Sequence, residues 1–120
     1  MHRFKHLEMW KQSRAFCTEI YAATTSFPDN EKFGITNQLR RASVSIPSNI
    51  AEGSSRNSNK DFSRFLDIAI GSAYEIETQL LISCDLSFLT EEKQIALNQK
   101  LESITKMILS FKTNLNKTTL

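Results

Sequence analysis

Few residues in this chain could do covalent or redox chemistry. His2 and His6 are the only histidines, and their i, i+4 spacing is the one that two metal ligands on a helix would need. No carboxylate precedes Glu8 on that arm, so the plainer reading is a solvated terminal tail. With no histidine beyond position 6, the Glu-x-x-His pairs that hold a di-iron centre inside a bundle are excluded. Cys17 and Cys84 have no histidine placed to activate a thiol, and two cysteines make neither a disulfide framework nor a metal pair. Both fall on apolar faces and read as buried thiols acting as small hydrophobes. No phosphate loop, dinucleotide fingerprint or nucleophile elbow is present. The expectation is therefore no catalytic residue, no metal, no cofactor and no small-molecule substrate.

The carboxylates offer a second possibility. Asp67, Gly71 and Glu75 recur at i, i+4 and i+8, with Glu77 nearby and Glu52 upstream. A two-metal phosphoesterase could use such a cluster if other elements supplied partners. The alternative is a polar network in which Ser45, Asn49, Glu52 and Glu75, with Arg41, fix how two helices pack. The network is the expectation, and a metal-dependent nuclease the distant alternative. Gly71-Ser72 reads as a point of close helix contact.

The basic residues are the better functional lead. Arg40, Arg41, Arg56, Lys60 and Arg64 stand against only Glu52 and Asp61 between positions 40 and 64. That is an excess of three positive charges, more than the +2 of the whole chain. Lys60 and Arg64 are like charges at i, i+4, which costs a few tenths of a kcal/mol in a helix and is partly offset by Asp61. Such a cluster is either an ordinary solvated face or a phosphate-binding patch. Phe62 and Phe65 read as core rather than as base-stacking platforms.

These residues must be positioned by helices. Gly and Pro together are 5 of 120 residues, too few for the frequent turns of a sandwich or barrel. Four amphipathic segments follow one another. The first runs from about Leu7 to Thr25 and ends at Ser26-Phe27-Pro28-Asp29. Its two apolar faces, one with Met9, Phe16, Ile20 and Ala23 and one with Leu7, Trp10, Cys17 and Tyr21, are wider than one internal seam needs, which reads as an interface. The second runs from about Glu31 to Glu52, with Ile35, Leu39, Ala42, Ile46 and Ile50 on one face. Those steps keep phase through Pro47, which favours one kinked helix over two. Gly53 reads as its left-handed terminator.

The third segment, Asn59 to Cys84, opens on Ser58 as N-cap with Asp61 three residues on. Phe62, Leu66, Ala69, Ala73, Ile76 and Leu80 step by 4 and 3, and so do Leu97, Leu101, Ile104, Ile108, Phe111 and Leu115 in the fourth, which Thr90 caps. The tail from Asn116 to Leu120 is expected to fray. The fold class expected is all-α, an antiparallel up-down-up-down four-helix bundle, as a single domain over residues 1–120. No apolar run reaches the ~18 residues of a membrane span, and Met1 to His6 has no apolar stretch behind its basic residues. Without export the Asn116-Lys117-Thr118 triplet carries no glycosylation meaning, and the expected location is cytoplasmic.

The middle of the chain carries a longer pattern: Gln38-Leu39-Arg40-Arg41-Ala42, then Val44-Ser45-Ile46-Pro47-Ser48-Asn49-Ile50-Ala51-Glu52-Gly53, then Arg56 and Ser58. Phe62, Phe65-Leu66, Ile68-Ala69, Gly71-Ser72, Glu75 and Gln79-Leu80 continue it, with Phe4, Leu7, Trp10 and Phe27-Pro28 in front and Phe88-Leu89 behind. This resembles the bacterial four-helix bundle proteins encoded in intervening sequences of large-subunit ribosomal RNA genes. The resemblance implies a pentameric assembly. It also implies a fold similar to the accessory protein of diversity-generating retroelements, which binds nucleic acid and a reverse transcriptase. One departure is Ser87, where the family usually has Gly in the third loop. Read together, residues and resemblance point to a non-enzymatic homo-oligomer that binds RNA or DNA through Arg40, Arg41, Arg56, Lys60 and Arg64. The alternative is a protein-interaction scaffold.

Overall fold

The computed structural model describes residues 3–117, so His2 and the chain beyond Lys117 lie outside the described residues. A 3-10 turn at Phe4–His6 leads into α1 (Glu8–Thr24). A second 3-10 turn, Asp29–Glu31, precedes α2 (Ile35–Ser54), α3 (Asn59–Asp85) and α4 (Glu91–Lys117). Among the described residues there is no strand.

Side-chain pairings set the direction of each helix. Between α2 and α3, Gln38 meets Gln79, Ser45 meets Ser72 and Gly53 lies against Phe62 and Phe65. Between α3 and α4, Asn59 donates to the Leu115 carbonyl and Phe62 packs on Phe111. On α1 and α2, Cys17 reaches Ser43 and Thr24 reaches Arg40. In each pair one residue number rises as the other falls, so neighbours run antiparallel, and α4 closes the ring against α1. The seam residues expected from the heptads, Leu66, Ile76, Leu80, Leu101, Ile104 and Ile108, are all buried, with Phe16, Ile20, Leu39, Ile46 and Ile50 between them. Each such side chain contributes about 1.5–3 kcal/mol of burial.

Several local readings change. α2 begins at Ile35 rather than near Glu31. Gly34 takes φ −104°, ψ −125°, outside the helical region, and the Ile35 amide donates to Glu31 Oε1 at 3.4 Å. α2 passes through Pro47 as one helix, as the phase of its apolar steps required. Gly53 does not end it. It is helical and buried, and no glycine has a positive φ among the described residues. Its missing side chain serves packing instead: a Cβ there would sit 2.8 Å from both Phe62 Cδ1 and Phe65 Cβ. Gly71 is the reverse, since a Cβ would meet nothing within 4 Å, so it marks no close helix contact within the chain. α4 remains helical through Lys117, past the expected start of fraying.

The caps follow the expected residues. Ser58 Oγ accepts from the Asp61 amide at 3.1 Å, and Thr90 Oγ1 from the Lys93 amide at 3.1 Å. α3 closes with the Ser87 amide on the Cys84 carbonyl and the Phe88 amide on the Ser83 carbonyl, both at 2.9 Å. That is the paired pattern of a Schellman motif, and Ser87 holds its left-handed position at φ 63°.

The wide apolar face of α1 is largely consumed within the molecule. Leu7, Trp10 and Ala23 pack against the core beside Met9, Phe16 and Ile20. Phe4 folds back edge-on to Trp10 with ring centroids 5.1 Å apart. Tyr21 stays exposed beneath the Arg40 guanidinium, 4.6 Å from its ring. α1 contacts α2, α4 and the N-terminal turn, and three neighbours need more apolar surface than one seam.

Candidate nucleic-acid interface

The short connection Ser55 to Ser58 turns the chain from α2 into α3, and the Ser58 cap fixes where α3 starts. That places Arg56, Lys60 and Arg64 on one exposed surface around the first turns of α3. They line a cavity of about 470 Å³ with Asn57, Ser58 and Asp61. Asp61 organises it. Its carboxylate accepts from Arg64 Nη2 at 3.0 Å and lies 3.8 Å from Arg56 Nε. Arg56 also reaches Glu52 at 3.2 Å. Both guanidiniums lie over the buried Phe65 ring, at 4.7 Å and 5.0 Å from its centroid. The ring and Asp61 hold two flexible cations in place, while the side chains of Arg56 and Arg64 remain 40% and 64% exposed. Lys60 is exposed and forms no ion pair among the described residues.

The five cations singled out from the sequence do not form one patch. Arg40 lies near the other end of α2. Its Nε donates to Thr24 Oγ1 at 2.9 Å and its Nη2 to the Tyr21 carbonyl at 3.3 Å, closing the C-terminal turns of α1. Arg41 is exposed and forms no ion pair among the described residues. It precedes Arg56 by roughly 20 Å of helix rise. The sequence pattern places both in the binding set, with Arg41 the one that is also a candidate for the polar network, whereas it is Arg40 that is engaged inside the molecule. A single residue step turns the helix by about 100°, and that step decides which of two adjacent arginines meets α1.

The polar network forms in part. Ser45 and Ser72 share a 2.8 Å hydrogen bond, and Asn49 Nδ2 donates to the Ser45 hydroxyl and carbonyl. Gln79, which sequence reasoning passed over, bridges α3 and α2 by donating to Gln38 Oε1 at 3.3 Å and Glu75 Oε1 at 3.4 Å. Glu52 pairs with Arg56 rather than Arg41.

Asp67 lies 2.5 Å from Lys112 Nζ, away from the other carboxylates. No group of three or more potential metal ligands converges among the described residues. Cys17 is half-buried, and its Sγ donates to the Ser43 carbonyl at 3.0 Å. Burial pushes its thiol up, which keeps it protonated and unreactive. Cys84 is a half-buried free thiol.

No helix among the described residues is long and apolar enough to cross a membrane. A family model described as 23S rRNA-intervening sequence protein matches residues 5–110. Among solved structures, one similar chain is a Bacteroides thetaiotaomicron protein of unknown function from the S23 ribosomal protein family. The two are 26% identical with a TM-score of 0.77, over 87% of this chain and 97% of that one. No curated protein matches the chain.

Proposed function

The chain belongs to the 23S rRNA-intervening sequence protein family, and on that premise we propose that it is a cytoplasmic, non-enzymatic bundle that binds nucleic acid through its phosphates. The observation that carries this reading is the cavity between α2 and α3, where Arg56, Lys60 and Arg64 share one exposed surface. The three cations neutralise phosphates without reading base edges, so affinity falls with salt and depends little on sequence. Arg40 and Arg41 are left out of the binding set. The test is equilibrium binding of labelled RNA and DNA across a salt series. Charge reversal in Lys60→Glu with Arg64→Glu is expected to weaken both about equally and to flatten the salt slope by roughly one unit per lost contact. Unchanged binding would leave the surface an ordinary solvated face.

We also propose that copies of the chain associate, with the pentamer number resting on family resemblance alone. In support, Ile68, Ile82 and Leu86 lie exposed on one outward stripe of α3. This favours a scaffold role as the second reading if nucleic acid does not bind.

A further inference from the structure

We infer that the N-terminal arm and the α2–α3 connection form one composite site for single-stranded nucleic acid, the connection taking phosphates and the arm an unpaired base. This rests on the phosphate-binding reading above and deepens it. The arm is not a loose tail. Backbone bonds from His6 to the Arg3 carbonyl and from Leu7 to the Phe4 carbonyl, both 3.0 Å, wind it into a turn, and the Phe4 ring anchors it on Trp10. So held, it closes a groove of about 360 Å³ against Ala51, Ser54 and Ser55 on the last turns of α2. Ser55 lines this groove and also the cavity that holds Arg56, Lys60 and Arg64, so the two adjoin at that residue.

Their characters differ. The connection cavity is ringed by three cations, two hydroxyls, the Asn57 amide and the Asp61 carboxylate. The arm groove has mainly apolar walls, with Arg3, Lys5 and His6 exposed at its rim. An apolar slot bordered by cations complements an unpaired nucleotide, whose flat base is apolar on both faces and whose neighbouring phosphates are anionic. A duplex keeps its bases stacked inside, so it gains the cations of the arm but not the slot. Electrostatics alone would favour the duplex, because its charge density is higher. A preference for the single strand therefore isolates the contribution of the groove.

The experiment measures fluorescence anisotropy of the full chain with a mixed-sequence RNA and DNA of about 20 nucleotides, each single-stranded and as its duplex, across a salt series. Ala51→Leu fills the groove without altering charge, and leucine is a good helix former, so circular dichroism should stay unchanged. It is expected to lower single-strand affinity about tenfold, with the salt slope and duplex binding unchanged. Arg3→Gln with Lys5→Gln is expected to flatten the single-strand slope by about 1.4, two contacts' worth. If Ala51→Leu weakens both forms equally or neither, or if the arm variant keeps the full slope, the composite site is overturned. If Lys60→Glu with Arg64→Glu still weakens binding and flattens the salt slope in that case, the phosphate reading stands alone. Wild-type chain that binds none of the four probes overturns the reading and this inference together.

Discussion

At the scale of single residues, two helical glycines, Gly53 in the last turn of α2 and Gly71 in the middle of α3, have opposite physical meanings. Gly53 is a void that Phe62 and Phe65 fill, and Gly71 is an exposed helical position with open space above it. Alanine at either position gains about 0.5–1 kcal/mol of backbone entropy. At Gly53 the added methyl meets Phe65 Cβ, which is tied to the backbone and cannot swing away, and overpacking of this kind costs about 1–3 kcal/mol. Gly53→Ala is therefore expected to destabilise by roughly 1–2 kcal/mol net. Gly71→Ala is expected to stabilise by about 0.5–1 kcal/mol. Urea unfolding at one fixed protein concentration separates the two, and a shared sign would mean that one of the two environments is misread. Sequence position alone predicted neither role, since glycine's helical cost is visible in a sequence but the atom opposite a missing Cβ is not.

At the scale of elements, most of the fold is legible in the sequence. The heptad steps on α3 and α4 name the buried seam because a period near 3.5 leaves only one face to bury. Ser58 and Thr90 mark helix starts because their hydroxyls accept orphan amides locally, with no help from the rest of the chain. What fails are features decided between elements. The start of α2 depends on the conformation of Gly34, and the fate of Arg40 depends on where α1 ends. The candidate site was legible only in part for the same reason. Arg56, Lys60 and Arg64 are joined by a four-residue connection, whereas Arg40 and Arg41 were linked to them only by sequence proximity. The anchored arm was missed, although Phe4 and Trp10 were both visible as aromatics at the front of the chain.

The α3–α4 connection carries its own prediction. Ser87 occupies a left-handed position at φ 63°, where a side chain costs roughly 1 kcal/mol relative to glycine. Part of the gain from Ser87→Gly returns as extra freedom of the unfolded chain. A net stabilisation of about 0.5 kcal/mol is expected, and Ser87→Val should instead destabilise by about 1–2 kcal/mol, because a β-branched side chain tolerates that region least. Chemical denaturation of the pair checks both signs, and a stabilising valine would contradict the Schellman geometry.

At the scale of the whole molecule, charge is sorted along the 49 Å axis. The end with the arm, the α2–α3 connection and the last turn of α4 carries Arg3, Lys5, Arg56, Lys60, Arg64 and Lys117 against Glu8, Glu52 and Asp61, an excess of three positive charges. The opposite end carries Asp29, Glu31, Asp85, Glu91 and Glu92 against Lys32 and Lys93, an excess of three negative. A nearly neutral chain thus presents one end that attracts phosphate and one that repels it, which a net charge of +2 conceals. The sides of the bundle carry the apolar surface. On α3, Ile68, Ile82 and Leu86 are 45%, 42% and 51% exposed and share a stripe with Glu75. Beside them Gln79 is buried with its Oε1 unpaired, a polar atom at the edge of a face that covering by a second copy could satisfy. Association through this stripe would leave both charged ends free, so binding and assembly would use separate surfaces. Ile68→Lys with Ile82→Lys is expected to convert the assembly to a 13.7 kDa monomer in light scattering, because each lysine would bring a charge into a dry contact. Helix content should be unchanged, since both positions face outward and lysine is a good helix former. A wild-type mass of 13.7 kDa at micromolar concentration would remove the assembly altogether. An unchanged oligomer in the double variant would move the interface to another face of the bundle.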